Sequence, residues 1–252
     1  MNGRNGFGQL ADEPGMTGAM TTAAAGATRT AIITGGTGGL GASVVRRFLD
    51  DGWQVVVPWV AERELERVER HERLTLVQAD LFDPASATAL AAVAGPSTRA
   101  VVNLVGGFAA GGRIHETAID VLDEQLRINL RPAWLVTGAA LPALLAGGGG
   151  AVVCVSSRAA LQPFSGGAAY AMAKGAVLGF VDALDLEYRA DGIRANAILP
   201  SVIDTPANRA AMPDADPATW VTAEQIATTI AFLCSDAAGA TSGAHLPVYG
   251  RA

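Results

Sequence analysis

The chain has almost no lysine. Of its eighteen basic residues, seventeen are arginine and one, Lys174, is lysine. Cysteine and histidine are also scarce, at two and three in 252 residues. Cys154 and Cys234 stand far apart in the sequence, form no metal-ligand spacing, and read as two buried thiols in a reducing compartment. His71, His115 and His245 are scattered, so a zinc site or a histidine-based triad has no support and no metal is expected. Charged residues make up only 17%, the net charge is −6, and no basic patch or aromatic–basic interleaving appears. That argues against a nucleic-acid partner. Long hydrophobic runs are missing too. The uncharged stretch Pro132–Ser157 contains Pro142 and four glycines, Gly147 to Gly150, which divide it into a helix end, a turn and a short apolar strand. A buried element pair fits it better than a membrane span. Residues 1–27 lack the basic start and apolar core of a secretory signal, so they are expected to form a flexible extension, with Met16 or Met20 as alternative starts. The cytoplasm is the expected location.

Half of the residues are hydrophobic, enough for one large core, and residues 28–252 are expected to form one domain. Short apolar runs fall at Thr30–Thr34, Gln54–Trp59, Leu74–Gln78, Ala100–Val105, Ala151–Ser156, Ala195–Leu199 and His245–Val248. Helical patterns lie between them at Leu40–Asp50, Glu62–Arg73, Ala85–Ala94, Thr117–Leu145, Ala169–Tyr188 and Ala223–Leu233. Near-continuous apolar strands separated by helices predict an α/β fold, a doubly wound parallel sheet of about seven strands covered on both faces.

The first strand ends in Thr34-Gly35-Gly36-Thr37-Gly38-Gly39-Leu40-Gly41 and passes straight into a helix. Glycines there allow a tight turn and a close approach of pyrophosphate to backbone, and the helix start offers free amides to that anion. A generic strand-to-helix turn is the alternative for the glycines alone. Farther on, Tyr170 and Lys174 stand four apart within a helical pattern, so both face one side. An ammonium near a phenol favours the phenolate, which predicts a Tyr170 pKa below the usual value of about 10.

The spacing of the glycine run, taken with Tyr170 and Lys174, resembles the short-chain dehydrogenase/reductase family, over roughly Arg29 to Val248. Asp80-Leu81 follow the third strand, where the family places an aspartate near the adenine. Asn103-Leu104-Val105-Gly106 is a partial match to the family's Asn-Asn-Ala-Gly. Asn129 falls at the position of the structural and proton-relay asparagine, and Ser157, thirteen residues before Tyr170, at that of the catalytic serine. Pro200 to Pro206, with Ile203 and Thr205, matches the segment over the nicotinamide, Ser201 replacing the usual glycine. The resemblance implies a Rossmann-type fold, an NAD(P)H cofactor and a homotetramer. It implies a catalytic set of Asn129, Ser157, Tyr170 and Lys174, and a cofactor site of Gly35, Thr37, Gly39, Leu40, Gly41, Trp59, Asp80, Leu81, Asn103, Gly106, Tyr170, Lys174, Pro200, Ile203 and Thr205.

The implied reaction is hydride transfer between nicotinamide and a small-molecule carbonyl or alcohol. Tyr170 is the general acid/base, Ser157 polarises the substrate oxygen, Lys174 binds the ribose, and Asn129 holds a water that links Lys174 to solvent. The loop Gly106–Gly111, the Tyr170–Ala176 stretch and the segment Leu199–Trp220 also resemble quinoid dihydropteridine reductase, a branch without the serine. Retention of Ser157 favours alcohol/ketone chemistry, with a dihydropteridine-type reductase or a non-catalytic cofactor-binding regulator as alternatives. The acidic residue that ends the second strand in NAD-binding members is here Trp59, which tilts the expectation toward NADP. The stretch Asp204–Val221 is the expected substrate lid.

Overall fold

The first apolar run forms strand β1 (Thr30–Thr34), all five residues of which are buried. Burial on both faces is what a continuous run of β-branched and small apolar residues permits, and it requires helices above and below. The computed structural model describes residues 28–251, so the expected N-terminal extension lies outside the described residues. After β1 come α1 (Gly39–Asp50), β2 (Gln54–Trp59), β3 (Leu74–Gln78), α2 (Pro84–Ala94), β4 (Thr98–Asn103), α3 (Ile119–Asn129), α4 (Arg131–Ala146) and β5 (Gly150–Val155). Then follow α5 (Ala168–Tyr188), β6 (Ile193–Pro200), β7 (Ile203–Asp204), α6 (Pro206–Ala211), β8 (Val221–Thr222), α7 (Ala223–Cys234) and β9 (His245–Val248). Seven strands pair in parallel in the order β3-β2-β1-β4-β5-β6-β9, as the apolar runs predict.

Two layers of core lie on the two faces of this sheet. One joins α1 and α7 through Val44, Phe48, Ile226 and Ile230. The other joins α2, α4 and α5 through Leu90, Val136, Leu144, Val177 and Val181. The strand order reverses at β1, which pairs with β2 on one side and β4 on the other, with Thr34 opposite Asn103. In a doubly wound sheet that reversal opens a crevice at the carboxyl ends of the strands, where ligands bind.

Two elements differ from the sequence expectation. Glu62–Arg73 forms only a 3-10 segment, Glu62–Arg67, rather than a helix to Arg73. Its alternating charges suit a helix surface, but Leu65 and Val68 are its only apolar residues, too few for a stripe that docks on the sheet. Ion pairs at about 0.2–0.5 kcal/mol each do not hold a short isolated helix. The expected helix Thr117–Leu145 is interrupted at Leu130 into α3 and α4. Pro132 cannot donate to the carbonyl four residues earlier, and the Asn129 side chain competes for the Gln125 carbonyl at 3.0 Å. The stretch Ile119–Ala146 includes an 18-residue window of mean hydropathy 1.2, enough for a membrane span by composition. With the break, α4 alone has 16 residues, short of the roughly 20 a span needs, and it packs on α2 and β4.

Candidate active site

The glycine turn is shaped for close approach. Gly35 has φ +68°, a conformation that side chains resist. At Gly41 an added Cβ would stand 2.6 Å from the Gly36 Cα and closer still to the Gly35 carbonyl, so α1 can abut the turn only without a side chain. The N-cap of α1 is Gly38, with no side-chain cap and no acidic residue in the first turn, which leaves the leading amides to an external anion. These features fit a dinucleotide pyrophosphate.

The remaining walls of the crevice come from distant parts of the chain. An added Cβ on Gly35 would lie 3.2 Å from the Val105 nitrogen, and one on Gly39 would lie 3.3 Å from the Thr205 methyl. One on Gly106 would lie 2.7 Å from Asn129 Oδ1 and 3.0 Å from Lys174 Nζ. Gly35, Gly39, the 104–106 turn, Thr205, Asn129 and Lys174 therefore border one cleft at the strand ends. Leu40 follows on α1, while Pro200 is buried at the end of β6 and Ile203 lies on β7 beside it.

Lys174 is 6% exposed and donates to the Val155 carbonyl at 3.1 Å, and its own carbonyl accepts from the Ser156 hydroxyl at 2.8 Å. The serine doublet after β5 thus divides its work. Ser156 pins α5 to the sheet, and Ser157 meets the Tyr170 phenol. Ser157 also accepts from the Ala159 amide at 3.2 Å, which fixes its backbone at the end of the strand. Lys174 Nζ lies 5.9 Å from the Tyr170 ring centre. Burial lowers the lysine pKa from 10.5 to about 8. The Tyr170 pKa moves opposite to the sequence expectation: burial raises it, and Ser157 opposes that rise. Desolvation of the phenolate outweighs an ammonium that stands beyond hydrogen-bond reach of the ring.

Asn129 is committed to the fold at every side-chain atom. Its Oδ1 accepts from the Gly107 amide at 3.1 Å, and its Nδ2 donates to the Gly107 and Gln125 carbonyls, each at 3.0 Å. Any water that it holds would therefore meet its main-chain carbonyl. Asn103, at the end of β4, is 4% exposed, and its Nδ2 donates to Thr137 at 3.0 Å, which ties β4 to α4. Asp80 accepts from the Phe82 amide at 2.9 Å in a turn after β3, with Leu81 buried beside it. Trp59 ends β2 opposite Gln78, half-buried.

Three residues near the cleft, Glu64, Phe108 and Phe164, stand outside the sequence-based site. Thr37, inside the glycine turn, donates to Glu64 Oε2 at 2.9 Å. Phe108 packs edge-on to the Tyr170 ring at 5.0 Å and stacks with Phe164 at 6.2 Å, although both are exposed. These contacts join loops that no short spacing connects; an apolar aromatic in each of two glycine-rich loops was the only available signal.

The short chain dehydrogenase family model matches residues 29–216. The 2-(R)-hydroxypropyl-CoM dehydrogenase of Xanthobacter autotrophicus is 30% identical over 243 residues, 88% of this chain and 97% of that protein. Among solved structures, a short-chain dehydrogenase/reductase family oxidoreductase from Burkholderia thailandensis superposes with TM-score 0.81 at 30% identity, over 89% of this chain and 92% of that one. A protein from Beutenbergia cavernae described as an NAD(P)-dependent gluconate 5-dehydrogenase, with NADP bound, gives TM-score 0.79 at 30% identity, over 88% and 95% of the two chains. These relatives do not favour a dihydropteridine-type reductase or a non-catalytic regulator. The chain belongs to the short-chain dehydrogenase/reductase family and is an NAD(P)-dependent oxidoreductase.

Proposed function

We propose that the enzyme interconverts a ketone and a secondary alcohol whose apolar body packs against Phe108 and Phe164. The observation that carries this reading is the Ser157 hydroxyl set against the Tyr170 phenol beside a buried Lys174. The nicotinamide, when bound, gives or takes the hydride. Negative charge that develops on the substrate oxygen meets two hydroxyl donors already in place. A Tyr170 pKa raised by burial keeps the phenol protonated at neutral pH, so it serves as the acid in the reductive direction. Lys174 favours the phenolate that remains and orients the ribose, and the Asn129 main-chain carbonyl holds the water that returns a proton to it. Phe108 and Phe164 are 66% and 44% exposed, an apolar wall beside the reacting oxygen that a polar substrate would leave unsatisfied. The secondary-alcohol part rests on the hydroxypropyl group that the Xanthobacter relative is named for.

The same reading places the protein in the cytoplasm as a homotetramer. It takes the segment from Asp204 to Val221 as a substrate lid, hinged where β7 pairs with β8 and stiffened by Arg209 in a two-point ion pair with Asp204 at 2.6 and 2.8 Å. The test follows nicotinamide absorbance while ketones, secondary alcohols and quinoid pterins are offered in turn. Turnover should appear with apolar ketones and fall by roughly 10²–10⁴-fold in Tyr170→Phe, with cofactor binding intact. Turnover on pterins alone, or an unchanged Tyr170→Phe, would reject the proposal.

A further inference from the structure

The negative charge that the end of β2 lacks is supplied from the segment behind it. Trp59 is neutral, but the 3-10 turn after it folds back until Glu64 Oε2 accepts from the Thr37 hydroxyl at 2.9 Å. Thr37 is 7% exposed and occupies the middle of the glycine turn. That turn also packs on β2, since a Cβ on Gly36 would stand 2.8 Å from both methyls of Val57. Among the residues whose side chains are described, Glu64 joins no ion pair with an arginine. The Glu64 carboxylate stands twenty-three residues past Gly41, near the interval at which dinucleotide folds place the acid that holds the adenosine ribose.

We propose that Glu64, positioned by Thr37, sets cofactor choice and makes the enzyme prefer NADH to NADPH. This rests on the glycine turn as the dinucleotide site, and it reverses the preference that Trp59 alone suggests. One carboxylate oxygen is taken by Thr37. The other is an acceptor suited to a ribose 2′-hydroxyl, which donates a hydrogen. A 2′-phosphate donates none when ionised and adds negative charge beside a half-buried carboxylate, where screening by water is incomplete. Arg63 neighbours Glu64 in sequence but is exposed and faces water, so its charge is the more heavily screened of the two.

Titration of the purified enzyme with NADH and with NADPH, read by the fluorescence of the bound nicotinamide, tests this without turnover. NADH should bind at least roughly tenfold more tightly, a difference of about 1.4 kcal/mol. Glu64→Gln keeps one oxygen for Thr37, turns an amide instead of the second oxygen toward the ribose and removes the charge, so it should tighten NADPH by a similar factor and weaken NADH. The preference should also shrink with salt, because the screening length falls from about 10 Å at 0.1 M to about 3 Å at 1 M. Tighter NADPH binding by the native enzyme, lost in Arg63→Ala, would overturn the proposal. An equal change for both cofactors in Glu64→Gln would also overturn it by reducing Glu64 to a structural role. If neither dinucleotide binds, the cofactor site itself has been misread, an outcome distinct from NADPH preference.

Discussion

Lys174 is where function and stability oppose each other most directly. Burying its ammonium lowers the pKa from 10.5 to about 8, which corresponds to about 3 kcal/mol against the charged form. Between those two values the unfolded chain holds a proton that the folded chain has lost. Stability owed to this residue therefore rises with pH through that window and is lowest below about 8. Lys174→Met removes the charge and keeps the stem. It gives up the hydrogen bond to the Val155 carbonyl, worth about 1 kcal/mol, and should still stabilise the fold by about 2 kcal/mol at pH 7. Urea unfolding at pH 7 and pH 10 would show the gain at the lower pH and little at the higher; equal gains at both would mean that the folded lysine keeps its ordinary pKa and binds its proton as the unfolded chain does. The same variant should lose nearly all turnover. Arginine is no substitute, because Nζ lies so close to the Gly106 backbone that a Cβ added there would stand 3.0 Å from it, and a planar guanidinium needs more room. In a chain that uses arginine at every other basic position, this crowding explains why position 174 does not.

At the scale of elements, the join between β1 and α1 bears the cofactor site. An alanine methyl at 41 would stand 2.6 Å from the Gly36 Cα, and backbone on both sides cannot yield without tilting α1 away from the turn. Gly41→Ala should cost about 1–3 kcal/mol and weaken dinucleotide binding by at least about tenfold. Calorimetric titration against the native enzyme would reveal it, and unchanged affinity would show that α1 shifts freely. This join was legible in sequence, as were the seven strands, because a strand buried on both faces leaves an unbroken apolar run and a tight turn leaves glycines. The Glu62–Arg73 segment was misread, since opposite charges at helical intervals look alike whether or not an apolar stripe anchors them. The split of α3 from α4 was written in Pro132 and Asn129, but two helices in series share one periodicity. Within the site, the intervals among Ser157, Tyr170 and Lys174 were legible because one strand end and one helix carry all three. Burial, which reverses the expected Tyr170 shift, leaves no trace in spacing. The Phe108–Tyr170–Phe164 cluster and the Thr37–Glu64 contact join separate loops and emerge only with the fold.

For the whole molecule, the faces of α3, α4 and α5 turned from the sheet carry apolar groups that one copy does not cover. Ile119, Trp134 and Leu186 are 66%, 61% and 85% exposed, and Trp134 lies on Phe180 with ring centres 5.4 Å apart. A groove bordered by Leu126, Leu130, Trp134 and Leu135, flanked by Arg127, Arg131 and Asp123, runs along the seam between α3 and α4. Apolar ground edged by both signs of charge suits a second copy of the same surface across a two-fold axis. A homotetramer built on this seam would place α3 and α5, which carry Asn129, Tyr170 and Lys174, next to the interface and hold them against fraying. Trp134→Glu puts a charge at the centre of the seam and should convert tetramers to smaller species by light scattering at micromolar concentration. Because Trp134 lies on α4 against Phe180, the dissociated variant should still bind the dinucleotide, with a melting temperature several degrees lower and dependent on protein concentration. A native chain that already scatters as a monomer, or a Trp134→Glu variant that remains a tetramer, would leave that seam without a role in assembly.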